Sequence, residues 1–323
     1  MRKRLVVPAV LLAAVAQSAS ASVVYDGFDY PAGKLAGNTN PTAPANSNGF
    51  TDTNVWTKSG TATNDSDVVI GSLSYANAPS SVGNMAQLTG AGGTSQTADR
   101  IAIPDHPSGS TIYFSMIFQV PSGVTNYGTS TTTGSFFTGF QYNPDVIGTT
   151  TNGMNDGVQS SGAPLTVRKA TDGLGYNLGI GYRDTAAVRV FDSTDELTAG
   201  QTHFLVGKYE IGTGSHDDVA TLYIDPDLST GVEPTSASAV SANTAASTTA
   251  DYFYSADGAT QLETNIRSFI LRSNGVEPSS SLVDELRIGD NWTDVTTAAA
   301  PEPASVSLLA LGALGLMGRR RKR

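Results

Sequence analysis

The side chains able to do chemistry are few and scattered. His106, His203 and His216 stand far apart in sequence, and each isolated imidazole reads as a surface or strand residue rather than a ligand or base. The absence of cysteine removes thiolate nucleophiles, zinc–thiolate sites, iron–sulfur clusters and disulfide scaffolds. No Gly-x-Ser-x-Gly elbow, His-Glu-x-x-His, Gly-x-Gly-x-x-Gly or Walker sequence occurs, so the corresponding hydrolytic, metal-dependent and nucleotide chemistries lack their carriers. Acidic residues gather at Asp192/Asp195/Glu196 and at Asp284/Glu285. Glycoside hydrolysis needs two carboxylates flanking one bond, and neighbours on a strand point to opposite faces. These acids therefore read as solvated strand ends or hydrogen-bonded turns.

Two kinds of binding chemistry remain. Asp217, Asp218, Asp225 and Asp227 bracket one expected strand and its following turn, and hard carboxylate oxygens suit Ca²⁺ when six to eight oxygens converge. Asp225-Pro226-Asp227 is equally a plain turn signature. No cofactor is required by any pattern, and Ca²⁺ is the one candidate. Sugar binding calls for an aromatic platform beside polar groups. Trp56 and Tyr142 are the candidates, Tyr142 lying next to a turn in Gln141-Tyr142-Asn143-Pro144. Tyr252 is a weaker one, while Tyr176 and Tyr182 lie on an alternating apolar face and read as core.

The elements that must position these residues read as β throughout. Between residues 22 and 297 short apolar or alternating runs are separated by Gly, Asn, Asp, Ser, Thr and Pro clusters, with no long helical period. Residues 175–183 place Tyr176, Leu178, Ile180 and Tyr182 on one face, and residues 218–224 alternate likewise. Further strands are expected at 111–120, 136–140, 165–168, 188–191, 203–211, 266–271 and 286–288. About ten such strands suggest one two-sheet sandwich or jelly-roll domain over residues 22–297. Residues 38–48 and the Ser/Ala/Thr-rich 235–250 read as loops, the second as a mobile excursion or a weakly paired edge. No fixed-period repeat occurs, which disfavours a solenoid. The Thr-rich pieces at 129–133 and 149–151 lack the period an ice-binding array needs.

The two ends read as addresses. Arg2, Lys3 and Arg4 precede an apolar run over 5–16, and Ala19 and Ala21 supply small residues for a cut after Ala21. Residues 1–21 therefore have the layout of a secretory signal, handled by the Sec translocon and signal peptidase. At the other end Pro301, Glu302 and Pro303 precede an apolar run over 304–318, and Arg319, Arg320, Arg321, Lys322 and Arg323 follow. About 15 apolar or small residues are marginal for a membrane span, which usually needs around 20, and the basic cluster would stay on the cytoplasmic side. Residues 1–21 and 298–323 hold eight of the 19 Lys and Arg but one of the 29 Asp and Glu, so the body between them carries a net charge of about −17. That charge disfavours nucleic acid and anionic membrane as direct partners and favours cations.

The Pro-Glu-Pro triplet, short hydrophobic helix and Arg-rich end of residues 298–323 resemble the PEP-CTERM sorting signal. Its tail is sometimes labelled an ice-binding-protein C-terminal domain. The resemblance implies transient anchoring by the C-terminal helix, processing by an exosortase-type protease, and delivery to the cell surface or extracellular matrix of a Gram-negative bacterium. Tyr25-Asp26-Gly27-Phe28-Asp29-Tyr30-Pro31-Ala32-Gly33, Leu222-Tyr223-Ile224-Asp225-Pro226-Asp227 and Val283-Asp284-Glu285-Leu286-Arg287-Ile288-Gly289 with Trp292 resemble concanavalin A-like lectin/glucanase (LamG-type) domains. That resemblance implies a jelly roll whose first and last strands lie side by side. Glucanases of that superfamily carry Glu-x-Asp-x-Glu or Glu-x-Asp-x-x-Glu, and neither pattern is present here. The expectation is an exported, non-enzymatic surface or matrix protein, with extracellular polysaccharide as the ligand to test. The alternatives are a divergent polysaccharide hydrolase or lyase on the same fold, or a structural adhesin without a small ligand.

Overall fold

Alternating sequence becomes paired strand wherever one face finds a core, and it does so here in two layers. A computed structural model of the chain describes residues 24–44, 54–59, 66–89, 97–127, 130–141, 161–192, 196–251, 265–273 and 278–297. The expected signal and C-terminal hydrophobic helices, with the tail residues 298–323, lie outside them. The first half holds β1 (Val24–Asp26), β2 (Gly33–Lys34), β3 (Thr57–Ser59), β4 (Asp67–Val69), β5 (Met85–Leu88), β6 (Thr97–Pro107), β7 (Thr111–Gln119) and β8 (Ser135–Gln141). The second holds β9 (Gly162–Lys169), β10 (Tyr176–Ile180), β11 (Val190–Phe191), β12 (Thr202–Glu210), β13 (Val219–Ile224), β14 (Ala239–Ala242), β15 (Asn265–Ser273) and β16 (Ser281–Gly289). A short helix, α1 (Trp292–Thr296), follows.

The strands form two antiparallel sheets. One has nine strands in the order β14-β13-β12-β7-β16-β5-β4-β2, with β1 also paired to β16, and the other has seven, β11-β10-β9-β8-β15-β6-β3. β1 lies on β16 in the register Val24↔Ile288, Tyr25↔Arg287 and Asp26↔Leu286, so the first and last strands are neighbours, as the jelly-roll resemblance implied. The inner faces meet in one core. Phe114 of β7 packs edge-on against Phe140 at 5.4 Å and tilted against Phe269 at 5.1 Å, and Phe118 stacks on Phe137 at 4.9 Å. Tyr176, Leu178, Ile180 and Tyr182 all point into this core.

The nine-stranded sheet is buried on its outer face as well. Tyr113, Ile117, Phe204, Val206 and Tyr223 are capped there by Trp292 and Val295 of α1 and by Leu73. The sequence reading did not foresee α1. Asn291 and Asp294 close a reciprocal capping box at its start, which satisfies backbone donors that a five-residue helix could not otherwise spare.

Of the two expected loops, the first is corrected in part and the second takes the form of the paired edge that was one of its two readings. Asn40, in the first, is fully buried and bonds Tyr25 O at 3.1 Å and Asp26 Oδ2 at 3.0 Å; residues 45–48 lie outside the description. Within the Ser/Ala/Thr-rich stretch, β14 pairs with β13 from Val219↔Ala242 to Leu222↔Ala239, making it an edge strand. Glycine is required where the N-terminal segment crosses the loop before β5. A Cβ on Gly27 would lie 2.4 Å from Val82 O, and one on Gly83, at φ +95°, 2.6 Å from Gly27 O.

Candidate functional site

The two sheets end side by side at β11 and β14, and a cleft opens between them. Its volume is about 550 Å³, and its walls include Tyr182, Val188, Val190, Ser241, Ser247 and Thr249. Along β14, Ala239 and Ser241 are buried while Val240 and Ala242 face out, and Val240, Ser241 and Ala242 line the cleft. Ser241 ties the sheets together, its Oγ donating to Val188 O at 2.5 Å and accepting from Tyr182 N at 3.2 Å. Tyr182 OH in turn donates to Thr249 O at 3.1 Å. Burial holds the Tyr182 hydroxyl above its ordinary titration range, with the Asp251 charge adding to the effect. The phenol is therefore a neutral donor at physiological pH. The described walls present hydroxyls, the Tyr182 phenol among them, and aliphatic surface, and carry no carboxylate or imidazole.

Behind this cleft three carboxylates converge. Asp217, Asp218 and Asp251 place oxygens within 4.8 Å of one another. The grouping alters the expected quartet: Asp217 and Asp218 are joined by Asp251, whereas Asp225 and Asp227 are committed elsewhere. Asp225 Oδ2 faces His203 Nδ1 at 2.7 Å, and its Oδ1 accepts from Phe204 N at 2.8 Å. Asp227 accepts from Ser229 N at 2.9 Å and caps a 3-10 turn, which is the turn role its sequence also allowed. In the cluster, Asp251 accepts from the backbone N–H of Asp217 at 2.8 Å and of Asp218 at 3.2 Å, and from Asn243 Nδ2 at 2.7 Å. Asp217 accepts from Gly214 N, and Asp218 from Gly212 N and Tyr209 OH. These donors offset much of the negative charge and clasp the turn before β13 to residue 251. Burial nevertheless pushes the Asp251 carboxyl up, against the pull of those donors.

The other sequence candidates resolve into separate sites. Trp56, expected as a sugar platform, is 0% exposed, and its indole N–H donates to Asp26 Oδ2 at 2.6 Å. Its ring packs near Phe28, so it offers no face to a ligand. Tyr142 and Tyr252 lie outside the described residues, as does Asp195. Asp284 and Glu285 are buried rather than solvated, at a bulge in β16 between Asp284 and Arg287. Asp284 accepts from Leu73 N and Glu285 N, both at 2.8 Å. Glu285 accepts from Tyr25 OH at 3.0 Å and Val82 N at 2.8 Å. The three histidines are apart in space too: His106 faces Asp290 at 2.8 Å, His203 faces Asp225, and His216 faces Ser215.

Sequence reasoning missed both the cleft and Asp251. Residues 239–242 look like a small-residue loop, and only the period-2 pattern of Ala239 and Ser241 against Val240 and Ala242 signals a strand. Asp251 lies 33 residues beyond Asp218, a separation that linear spacing does not reveal.

Residues 299–322 match the PEP-CTERM protein-sorting motif. The chain carries a PEP-CTERM sorting signal. It is thereby an exported protein, anchored in a membrane before processing, with exosortase as its processing partner. Among the described residues no helix is long and apolar enough to cross a membrane. No curated protein matches the chain in sequence. Among solved structures, it is similar to a mutant of alginate lyase Aly36B in complex with alginate tetrasaccharide, at 14% identity and TM-score 0.45, over 86% of this chain and 99% of that one. It is also similar to endo-β-1,4-glucuronan lyase from the fungus Trichoderma reesei, at 12% identity and TM-score 0.41, over 78% and 97%. A third is the exoplasmic/lumenal domain of VIP36 in its Ca²⁺/Man3GlcNAc-bound form, at 9% identity and TM-score 0.37, over 76% and 92%.

Proposed function

We propose that this is a non-enzymatic surface or matrix protein whose body, residues 22–297, binds carbohydrate in the cleft between β11 and β14. The carrying observation is the cleft's chemistry: about 550 Å³ lined by Ser, Thr and Tyr hydroxyls over aliphatic side chains, with no carboxylate or imidazole on the described walls. That volume falls within the roughly 300–1,000 Å³ typical of small-ligand sites. Hydroxyl and backbone groups satisfy sugar hydroxyls in either hydrogen-bond sense, while valine and alanine faces meet the C–H side of a ring.

The test is a glycan array probed with the purified body, with Ca²⁺ and with chelator, scoring bound and released sugar separately. Saturable capture without release is the expected result. Release of sugar would establish turnover and overturn the non-enzymatic reading, and silence on every glycan would leave the structural adhesin. Loss of capture in chelator would show that capture needs a cation and make the Asp217, Asp218 and Asp251 cluster the place to mutate.

Surface delivery is assigned to the tail alone. Deleting residues 299–322 should leave the thermal unfolding of the body unchanged and abolish its retention at the surface, read by cell fractionation. Unaltered surface retention would contradict the assignment.

A further inference from the structure

We propose that the anchored chain lies with the outer face of the nine-stranded sheet toward the lipid bilayer, and that Ile70 and Val82, in the loop between β4 and β5, dip into the headgroup region. The proposal rests on the anchored stage that the sorting motif implies. What fixes the orientation is where the described chain ends. α1 is pinned to the sheet: Ser115 Oγ donates to Val295 O at 2.5 Å, Arg287 Nη1 donates to Thr297 O at 3.1 Å, and Val295 and Thr296 are buried. The chain is therefore held in place as far as Thr297, two residues before the motif begins at 299. The apolar run starts at Ala304. Seven residue steps span at most about 25 Å even when fully extended, so a bilayer-inserted run keeps Thr297 within about 25 Å of the lipid.

The surroundings of that exit point suit such a neighbour. Arg287, which holds Thr297, also donates to Glu285 Oε2 at 3.2 Å, and Glu285 Oε1 accepts from Val82 N at 2.8 Å. Val82 is thus linked to the exit through two side chains. Its loop is fastened by Leu73 N to Asp284, Gly71 N to Asn84 Oδ1 and Ser72 Oγ to Gly83 O. On this fastened loop two large aliphatic side chains stand out: Ile70 is 81% exposed and Val82 57%. Water is a costly surrounding for such side chains, and the boundary between headgroups and acyl chains takes them up when something else holds the protein there. The body's strong negative charge gives no attraction to anionic lipid of its own, so the tether supplies the proximity and the aliphatic pair supplies the contact.

The lack of native cysteine makes single-site labelling direct. Chains of residues 22–323, the form left after signal removal, bearing Ile70→Cys, Val82→Cys or Leu174→Cys would carry a nitroxide and be reconstituted in phosphatidylcholine/phosphatidylglycerol vesicles. Leu174 is the control, 77% exposed in the turn between β9 and β10 of the opposite sheet. Collision with dissolved oxygen, relative to a water-soluble nickel chelate, should be several-fold greater at 70 and 82 than at 174. Equal ratios in chains that float with the vesicles would overturn the proposed orientation. Chains that fail to float would instead contradict the anchoring itself. All three positions are exposed, so labelling leaves the core intact.

Discussion

Replacing Asp26 with alanine is expected to cost about 3–5 kcal/mol of folding stability, read as a lowered urea midpoint of the isolated body. Asp26 is 3% exposed and accepts from four donors at once: Phe28 N at 2.7 Å, Tyr30 OH at 2.7 Å, Asn40 Nδ2 at 3.0 Å and Trp56 Nε1 at 2.6 Å. Burial pushes its carboxyl upward, while the bonds from Trp56, Tyr30, Phe28 and Asn40 pull it back. Removing the acceptor leaves those donors in a site water does not reach, and each stranded group costs about 1–3 kcal/mol. The same substitution cuts the link that joins β1 to the segments carrying Asn40 and Trp56. Asp29→Ala, at an exposed position three residues on, should change stability by under about 0.5 kcal/mol. Equal effects of the two substitutions would show that Asp26 does not organise this corner.

Asp284 sets the second large effect, and its sign is unusual for a carboxylate. Burial, opposed by the N–H groups of Leu73 and Glu285, pushes its titration up to about 7. Because this lies above the unfolded value, the native state holds a proton between about pH 4 and pH 7 that the unfolded chain has released. The contribution of Asp284 is therefore fully present below the unfolded pKa and lost as pH rises through 7. The span is on the order of 2–4 kcal/mol. Asp284→Asn removes this titration. The difference in stability between wild type and variant, measured by urea unfolding from pH 4 to pH 8, should favour the wild type most at the acid end and shrink toward pH 8. A difference independent of pH would mean that Asp284 stays ionised throughout.

Asp26 and Asp284 show how far the sequence could be read. Both lie in short motifs that pointed to a jelly roll, and the pairing of β1 with β16 follows from those motifs. The alternation in β10 and β13 was legible because one face of each strand meets the core and period 2 survives intact. β6 was not legible: Pro104, Asp105, His106 and Pro107 interrupt its apolar character, and proline in a run argues against a strand. Of the two readings of the Asp284–Glu285 pair, the solvated strand end fails and hydrogen bonding holds, because a bulge and the loop folded over it, rather than local sequence, decide its burial. Trp56 failed as a platform for a related reason. A tryptophan announces a need for burial or for a partner, but the carboxylate that meets it lies 30 residues away.

The cleft between β11 and β14 is the centre of the functional account, and filling it tests that account most directly. Ala246 lines it from an exposed position, so Ala246→Trp narrows the site without disturbing the core. Titration of the strongest array ligand into wild type and variant, at matched urea midpoints, should show affinity weakened about tenfold or more, equivalent to about 1.4 kcal/mol. Unchanged affinity in the filled cleft would contradict the account and move the binding site elsewhere on the molecule.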